Sequence, residues 1–253
     1  VILLDHLGYG TYLFKTQSRV DTLDVNATVG YFVWDAYGND DTSGESHNRE
    51  FDFEDSRWGV PSGPNSQSIV QPDFIVGNRH RYYLPDLSTN STLTRFFRWQ
   101  PGSIEFVALK GDQSQTNYPP ASVIDNWVYR HDPSAGHYVP SPGQERFRFN
   151  LWLNNPDTGP ANSQPIEVVI SDFTFTPLAK PAITAIERME NDLHLTFTSE
   201  LGGHYAVQSR SNLSAGSWMT LSRDISSDGA LTRTTVTNAF SQPQQFYRIQ
   251  QTP

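Results

Sequence analysis

Turn-forming residues punctuate this chain at intervals of about eight to twelve positions, and helical periodicity is hard to find between them. Short alternating runs rich in Val, Ile, Phe, Tyr and Thr fill the intervals, as at 11–15, 30–34, 49–54, 79–84, 95–99, 104–110, 147–153 and 166–175. In an alternating run one face can be buried while the other meets water, and many short runs of this kind predict an all-β sandwich. The Gly-, Asn- and Pro-rich connections at 37–48, 61–71 and 111–122 are where binding loops are expected. Prolines bracket a link at Pro177-Leu178-Ala179-Lys180-Pro181, and the strand pattern then restarts at Ile183. Two domains are expected, 1–177 and a small immunoglobulin-like β-sandwich over 181–253.

Charge narrows the partners. The net charge of −9 argues against a nucleic acid, because few cations are available to neutralise phosphates, and a neutral ligand fits better. There is no cysteine, so neither disulfides nor thiolate metal sites contribute. No apolar run reaches membrane-spanning length, and a monomer without a membrane partner is expected. Val1-Ile2-Leu3-Leu4 reads as the inside of a strand, which suggests a natural chain that continues upstream.

One segment stands out chemically, Glu50-Phe51-Asp52-Phe53-Glu54. Extended backbone puts Glu50, Asp52 and Glu54 on one face and the two phenylalanines on the other. Three like charges on one face of a strand repel, a cost that invites a functional explanation. Crowding raises the pKa of at least one member, leaving a protonated carboxyl beside an ionised one. Glu50 and Glu54 have Cα atoms roughly 13 Å apart. Their side chains can lean together toward the roughly 5 Å separation of a retaining glycosidase. The alternative is a solvated edge strand with its acids paired to Arg49 and Arg57, although the loop at 39–48 and the segment 55–59 could wall a cleft around the acids.

These residues resemble the ExDxE motif of glycoside hydrolase family 16, standing here as EFDFE. Gly8-Tyr9-Gly10-Thr11-Tyr12 and Gly30-Tyr31-Phe32-Val33-Trp34 are similar to family strands that precede the motif, FFRWQPGSIEF at 96–106 and Phe149-Asn150-Leu151-Trp152 to strands after it, and 168–175 to the closing strand. The match runs in order over about 1–177. It implies a concanavalin-like β-jelly roll, with Glu50 as nucleophile, Glu54 as general acid/base and Asp52 tuning both. The uninterrupted spacing resembles the lichenase and xyloglucan-modifying branches, which implies an exported (secreted, periplasmic or surface) endo-β-glucanase acting on β-1,4 or mixed β-1,3/1,4 glucan. Two departures stand out: the family has about two further strands before Gly8, and its usual Glu is missing near Tyr12 and Leu13.

Sugar rings stack on aromatic faces, which makes Trp34, Trp58 and Trp152 candidate platforms, with Asn150 as a hydroxyl partner. Trp99 and Trp127 are read as structural, Trp218 as core of the second domain, and His47, His80, His131 and His137 as loop residues. No close-spaced ligand set predicts a catalytic metal and no cofactor is implied; the Asp/Asn loops leave room for a structural calcium without an EF-hand pattern to specify it. A phosphate loop and a GxSxG elbow are missing. A polysaccharide substrate is the expected partner. The competing readings are a non-catalytic carbohydrate-binding or adhesion protein on the same fold and a transglycosylase.

Overall fold

The computed structural model describes residues 1–38, 47–200, 203–227, 229–241 and 244–252. The chain divides into two compact units, Val1–Leu178 and Ala179–Pro253.

The first unit is built on two five-stranded antiparallel sheets. One runs, edge to edge, β5 (Arg79–Tyr82), β4 (Ser66–Val70), β3 (Phe51–Ser56), β2 (Ala27–Trp34), β9 (Arg146–Leu153). The other runs β10 (Ile170–Pro177), β1 (Gly10–Gln17), β6 (Thr92–Gln100), β7 (Ser103–Lys110), β8 (Val123–Arg130). The all-β sandwich expected from the turn spacing is what forms. Aromatic residues alternate inward from both layers: Phe51 and Phe53 of β3 meet Phe97 and Trp99 of β6, with Phe53 stacked on Phe97 at a centroid distance of 4.9 Å. Each fully buried ring of this kind contributes about 1.5–3 kcal/mol of transfer free energy, so β3 is anchored by its inner face alone.

Asp55 follows on that same inner face and is fully buried. It is paired across the core with an equally buried Arg95 of β6 at 2.6 Å, while the hydroxyls of Ser66 and Tyr31 donate to its two oxygens. A charged pair under the strand is held by geometry that a sequence scan cannot foresee.

Several sequence expectations change here. The connection at 61–71 is not all loop: Ser66–Val70 is β4, buried along its whole length. Its small polar residues hide a strand: Ser66 donates to the Glu54 carbonyl and the Asp55 carboxylate of β3, while the Ser68 hydroxyl is buried without a partner. The connection at 111–122 lies over the other sheet, where Tyr118 covers Leu13, Phe96, Val107 and Leu109, and so does not wall the acidic strand. Of the loop at 37–48, residues 39–46 lie outside the described residues. Val1 to Leu3 run along the free edge of β9, through an Ile2–Arg148 bridge and bonds to Phe147 and Phe149, which closes that sheet edge.

The second unit is a smaller sandwich of two three-stranded sheets. One is β11 (Ile183–Met189), β12 (Asp192–Thr198), β15 (Leu231–Val236), and the other β14 (Met219–Ser226), β13 (His204–Arg210), β16 (Phe246–Thr252). Leu195, Phe197, Tyr205 and Val207 centre its core. Trp218 does not join that core. It is half-buried, with the guanidinium groups of Arg210 and Arg248 over its ring at 4.6 and 4.5 Å, a cation–π arrangement at the surface of the unit.

Candidate functional site

The two phenylalanines of β3 point into the core, so Asp52 and Glu54 face outward on the far side of the sheet. Glu50 stands one residue before the strand, a correction to its placement within it. His47, Asn48 and Arg49 have φ of 67°, 61° and 53°, three successive non-glycine residues in the left-handed region. That backbone is costly and persists only where its surroundings over-determine it. Here the Asp35 N–H donates to the Asn48 carbonyl at 2.7 Å, Arg49 Nε donates to the Asp35 carboxylate at 3.2 Å, and the Gln71 N–H holds the Glu50 carbonyl at 3.0 Å. The turn thus delivers Glu50 to the same face as the other two acids.

Arg49 and Arg57, the partners that a solvated strand would use, point elsewhere. Arg49 reaches Asp35 and the Ser141 carbonyl, and Arg57 the carbonyls of Pro61 and Asp21. Asp52 is buried and Glu50 and Glu54 are half-buried, in an edge-free central strand between β2 and β4.

Cross-strand register builds the rest of the face. Glu54 lies beside Gly30 of β2 and Gln67 of β4, and Gly30 in turn beside Asn150 of β9. Asp52 lies beside Phe32, and Phe32 beside Arg148. A groove of about 410 Å³ is lined by Phe32, Trp34, Glu50, Asp52, Glu54, Arg148, Asn150 and Trp152. All three acids, two of the three candidate tryptophans and Asn150 therefore line one groove.

Trp58 takes a different place. The turn after β3 has positive φ at Trp58 (44°) and Gly59 (77°), which folds the indole back so that its Nε1–H donates to Glu54 Oε2 at 3.2 Å. The same oxygen accepts from the Gln67 amide, whose own carbonyl oxygen accepts from Arg81 Nε at 2.9 Å. Arg81 also lies over the Trp58 ring at 4.1 Å, and Arg148 over the Trp34 ring at 4.2 Å. One face of each of these rings is therefore occupied by a guanidinium. Trp152 is different, since its ring lies over Gly30, where a methyl group would meet it at 2.9 Å.

The acids are unlike in their protonation. Burial pushes Glu50 up to about 7, against a hydrogen bond from Asp52, which favours its charged form. Asp52 is raised well above its ordinary value, by burial first and then by the charges of Glu50 and Glu54. Two carboxyl groups can bond to each other only through a shared proton, and burial favours its retention by the Glu50–Asp52 pair. Glu54 is raised by burial, against which the Gln67 and Trp58 N–H groups favour its charged form. Such a face can present one protonated carboxyl and one ionised carboxyl together.

No family model matches the chain, and no curated protein matches it. Among solved structures, a Bacillus licheniformis beta-glucanase is similar at 17% identity over 68% of this chain and 67% of that one, with a TM-score of 0.41. A likeness so distant carries no chemistry, which has to come from the groove.

Sequence reading missed Gln67, Gly30, Arg81 and Arg148. Gln67 was hidden in a segment read as loop, and Gly30 in a strand whose neighbours were unknown. The arginines left a readable trace, alternating pairs in Arg79-His80-Arg81 and Arg146-Phe147-Arg148. His80 is likewise in β5 and not in a loop; it stacks on Trp127 at 5.7 Å and contacts Asp125, because its side chain takes the core-side face opposite the arginines. Trp99 is buried and Trp127 half-buried. Among the described residues no group of three or more His, Cys, Asp or Glu is placed to hold a metal ion, and no helix is long and apolar enough to cross a membrane.

Proposed function

We propose that this chain is a retaining glycosidase that cuts within β-linked polysaccharide chains. The observation that carries the reading is the shared outward face of Glu50, Asp52 and Glu54 in an open groove, with burial raising all three carboxyls and Glu54 held by its own pair of N–H donors. In the first step the Glu54 carboxyl gives its proton to the glycosidic oxygen as the C1–O bond breaks, and a Glu50 oxygen bonds to C1. The leaving sugar departs as an alcohol. In the second step Glu54, now ionised, takes a proton from water, whose oxygen bonds to C1 as the Glu50–C1 bond breaks. Asp52 steadies Glu50 as a carboxylate before attack and as a leaving group afterwards.

A β-1,4 or mixed β-1,3/1,4 glucan is the first substrate to try, and an exported protein is the natural setting for a polymer too large to enter a cell. The second unit is assigned an accessory role, as an immunoglobulin-like spacer. Glu54→Gln is expected to lower reducing-end release by about 10²–10⁴-fold with polymer binding kept, and Glu50→Gln to abolish turnover. Proton NMR of the first product should show the anomeric configuration of the substrate. Full activity in either variant, or an inverted first product, would overturn the reading; lengthened products would shift it to transglycosylation.

A further inference from the structure

The face that carries the acids also carries an ordered set of cations. Following the register outward from β3, one row runs Arg81, Gln67, Glu54, Gly30, Asn150, and the next runs Arg79, Ile69, Asp52, Phe32, Arg148. Arg146 closes a third row beside Trp34. The acids thus occupy the central strand, while both edge strands, β5 and β9, bear two arginines on the same face. The edge strands are four spacings apart, roughly 19 Å at about 4.8 Å each, so the arginine-bearing strands run about 10 Å to either side of β3.

These arginines are only partly engaged, Arg81 giving its Nε–H to Gln67. Among the described residues Arg79 pairs with Asp73 at 3.0 Å, but Arg81, Arg146 and Arg148 make no ion pair. Arg148 has a buried Nε with no hydrogen-bond partner, and it lines the groove. Trp58 and Trp34 fix the planes of Arg81 and Arg148 by stacking. A stacked guanidinium is pre-organised and presents its fork of N–H groups to planar or tetrahedral oxyanions. A chain of net charge −9 has little general reason to attract polyanions, so cations placed on both edge strands of the face that holds the groove, one of them (Arg148) lining it, are a local device.

We propose that the groove takes an anionic polysaccharide, one that bears sulfate esters or carboxylates on sugars to either side of the bond at the acids. This deepens the glycosidase reading and rests on it for the position of the scissile bond. It replaces the neutral ligand that the overall charge suggested.

Affinity measurements on the full chain test it, with a carrageenan for sulfate, polygalacturonate and alginate for carboxylate, and mixed-linkage glucan and laminarin as neutral polymers, each also assayed for reducing-end release. The expected result is tighter binding of a charged polymer than of any neutral one, weakened by added NaCl. Arg81→Gln and Arg148→Gln should each raise Kd about tenfold, the cost of a charge-assisted hydrogen bond. Arg188→Gln in the second unit makes the same change in net charge and should leave Kd where it was. Which charged arm binds decides between sulfate and carboxylate. Equal or better binding and cleavage of a neutral glucan, unaffected by the groove variants, would overturn this inference and leave the glycosidase standing. Equal weakening by Arg188→Gln, or no binding of any charged polymer, would overturn it as well. Arginine-dependent binding of a polyanion with no polymer cleaved would uphold it and sink the glycosidase. The salt dependence of the unaltered protein gives a reading that does not depend on any variant folding.

Discussion

Glu50 pays for its position with stability, and the sign of that cost is open to measurement. Its ordinary pKa is 4.5, and the folded protein raises it to about 7. Between those values the folded state keeps a proton that the unfolded chain has lost, so stability falls as pH rises through this window and is flat above it. The loss is on the order of 3 kcal/mol. Glu50→Gln stays neutral at every pH and is expected to melt at a higher temperature than the parent at pH 8 and at nearly the same temperature at pH 4.5. Thermal unfolding of both proteins at the two pH values checks this, and equal melting temperatures at pH 8 would count against it. Arg95 presents the opposite case, a buried charge whose value is mostly that of not leaving Asp55 alone. Arg95→Met should cost about 3–5 kcal/mol in urea unfolding, far more than loss of an exposed pair such as Arg79–Asp73.

At the scale of elements, strand register sets what the acids feel. β4 matters because its central residue, Gln67, faces Glu54. A slip of one residue would turn Gln67 into the core and put a serine in its place. With Gln67→Ala burial acts on Glu54 with less opposition, its pKa rises, and the alkaline limb of kcat/KM, which needs Glu54 protonated, should move to higher pH. An unmoved limb across the pH series would remove Gln67 from the mechanism. β2 contributes an absence. Gly30 has no positive φ to require glycine; it is the Trp152 ring above it that leaves no room for a methyl, at 2.9 and 3.0 Å from two ring carbons. Gly30→Ala should therefore cost about 1–3 kcal/mol by overpacking and raise KM as the indole tilts, read from urea unfolding and steady-state kinetics. The period-two pattern made the inward phenylalanines and outward acids of β3 legible in advance. Gln67 and Gly30 were not legible, since a glutamine between serines and a glycine in a strand acquire meaning only from the neighbour across the ladder.

At the scale of the molecule, each unit closes its own strand ladders around its own core. Calorimetry is expected to show two transitions, and residues 1–178 expressed alone should keep the activity of the groove. A single transition, or an inactive first unit, would show that the two depend on each other. The alternation of side chains and the spacing of turns by themselves determined that this chain makes β-sandwiches, which face of β3 is wet, and that three carboxyl groups share it. Those are local properties, because the extended backbone alternates whatever lies beside it. The tertiary structure alone decided that Asp52 is buried in the groove with Glu50, that Trp58 folds back onto Glu54, and that arginines stand on both edge strands of that face. Each of these depends on which strands become neighbours and in what register, and that is settled by how the two sheets bury their rings together.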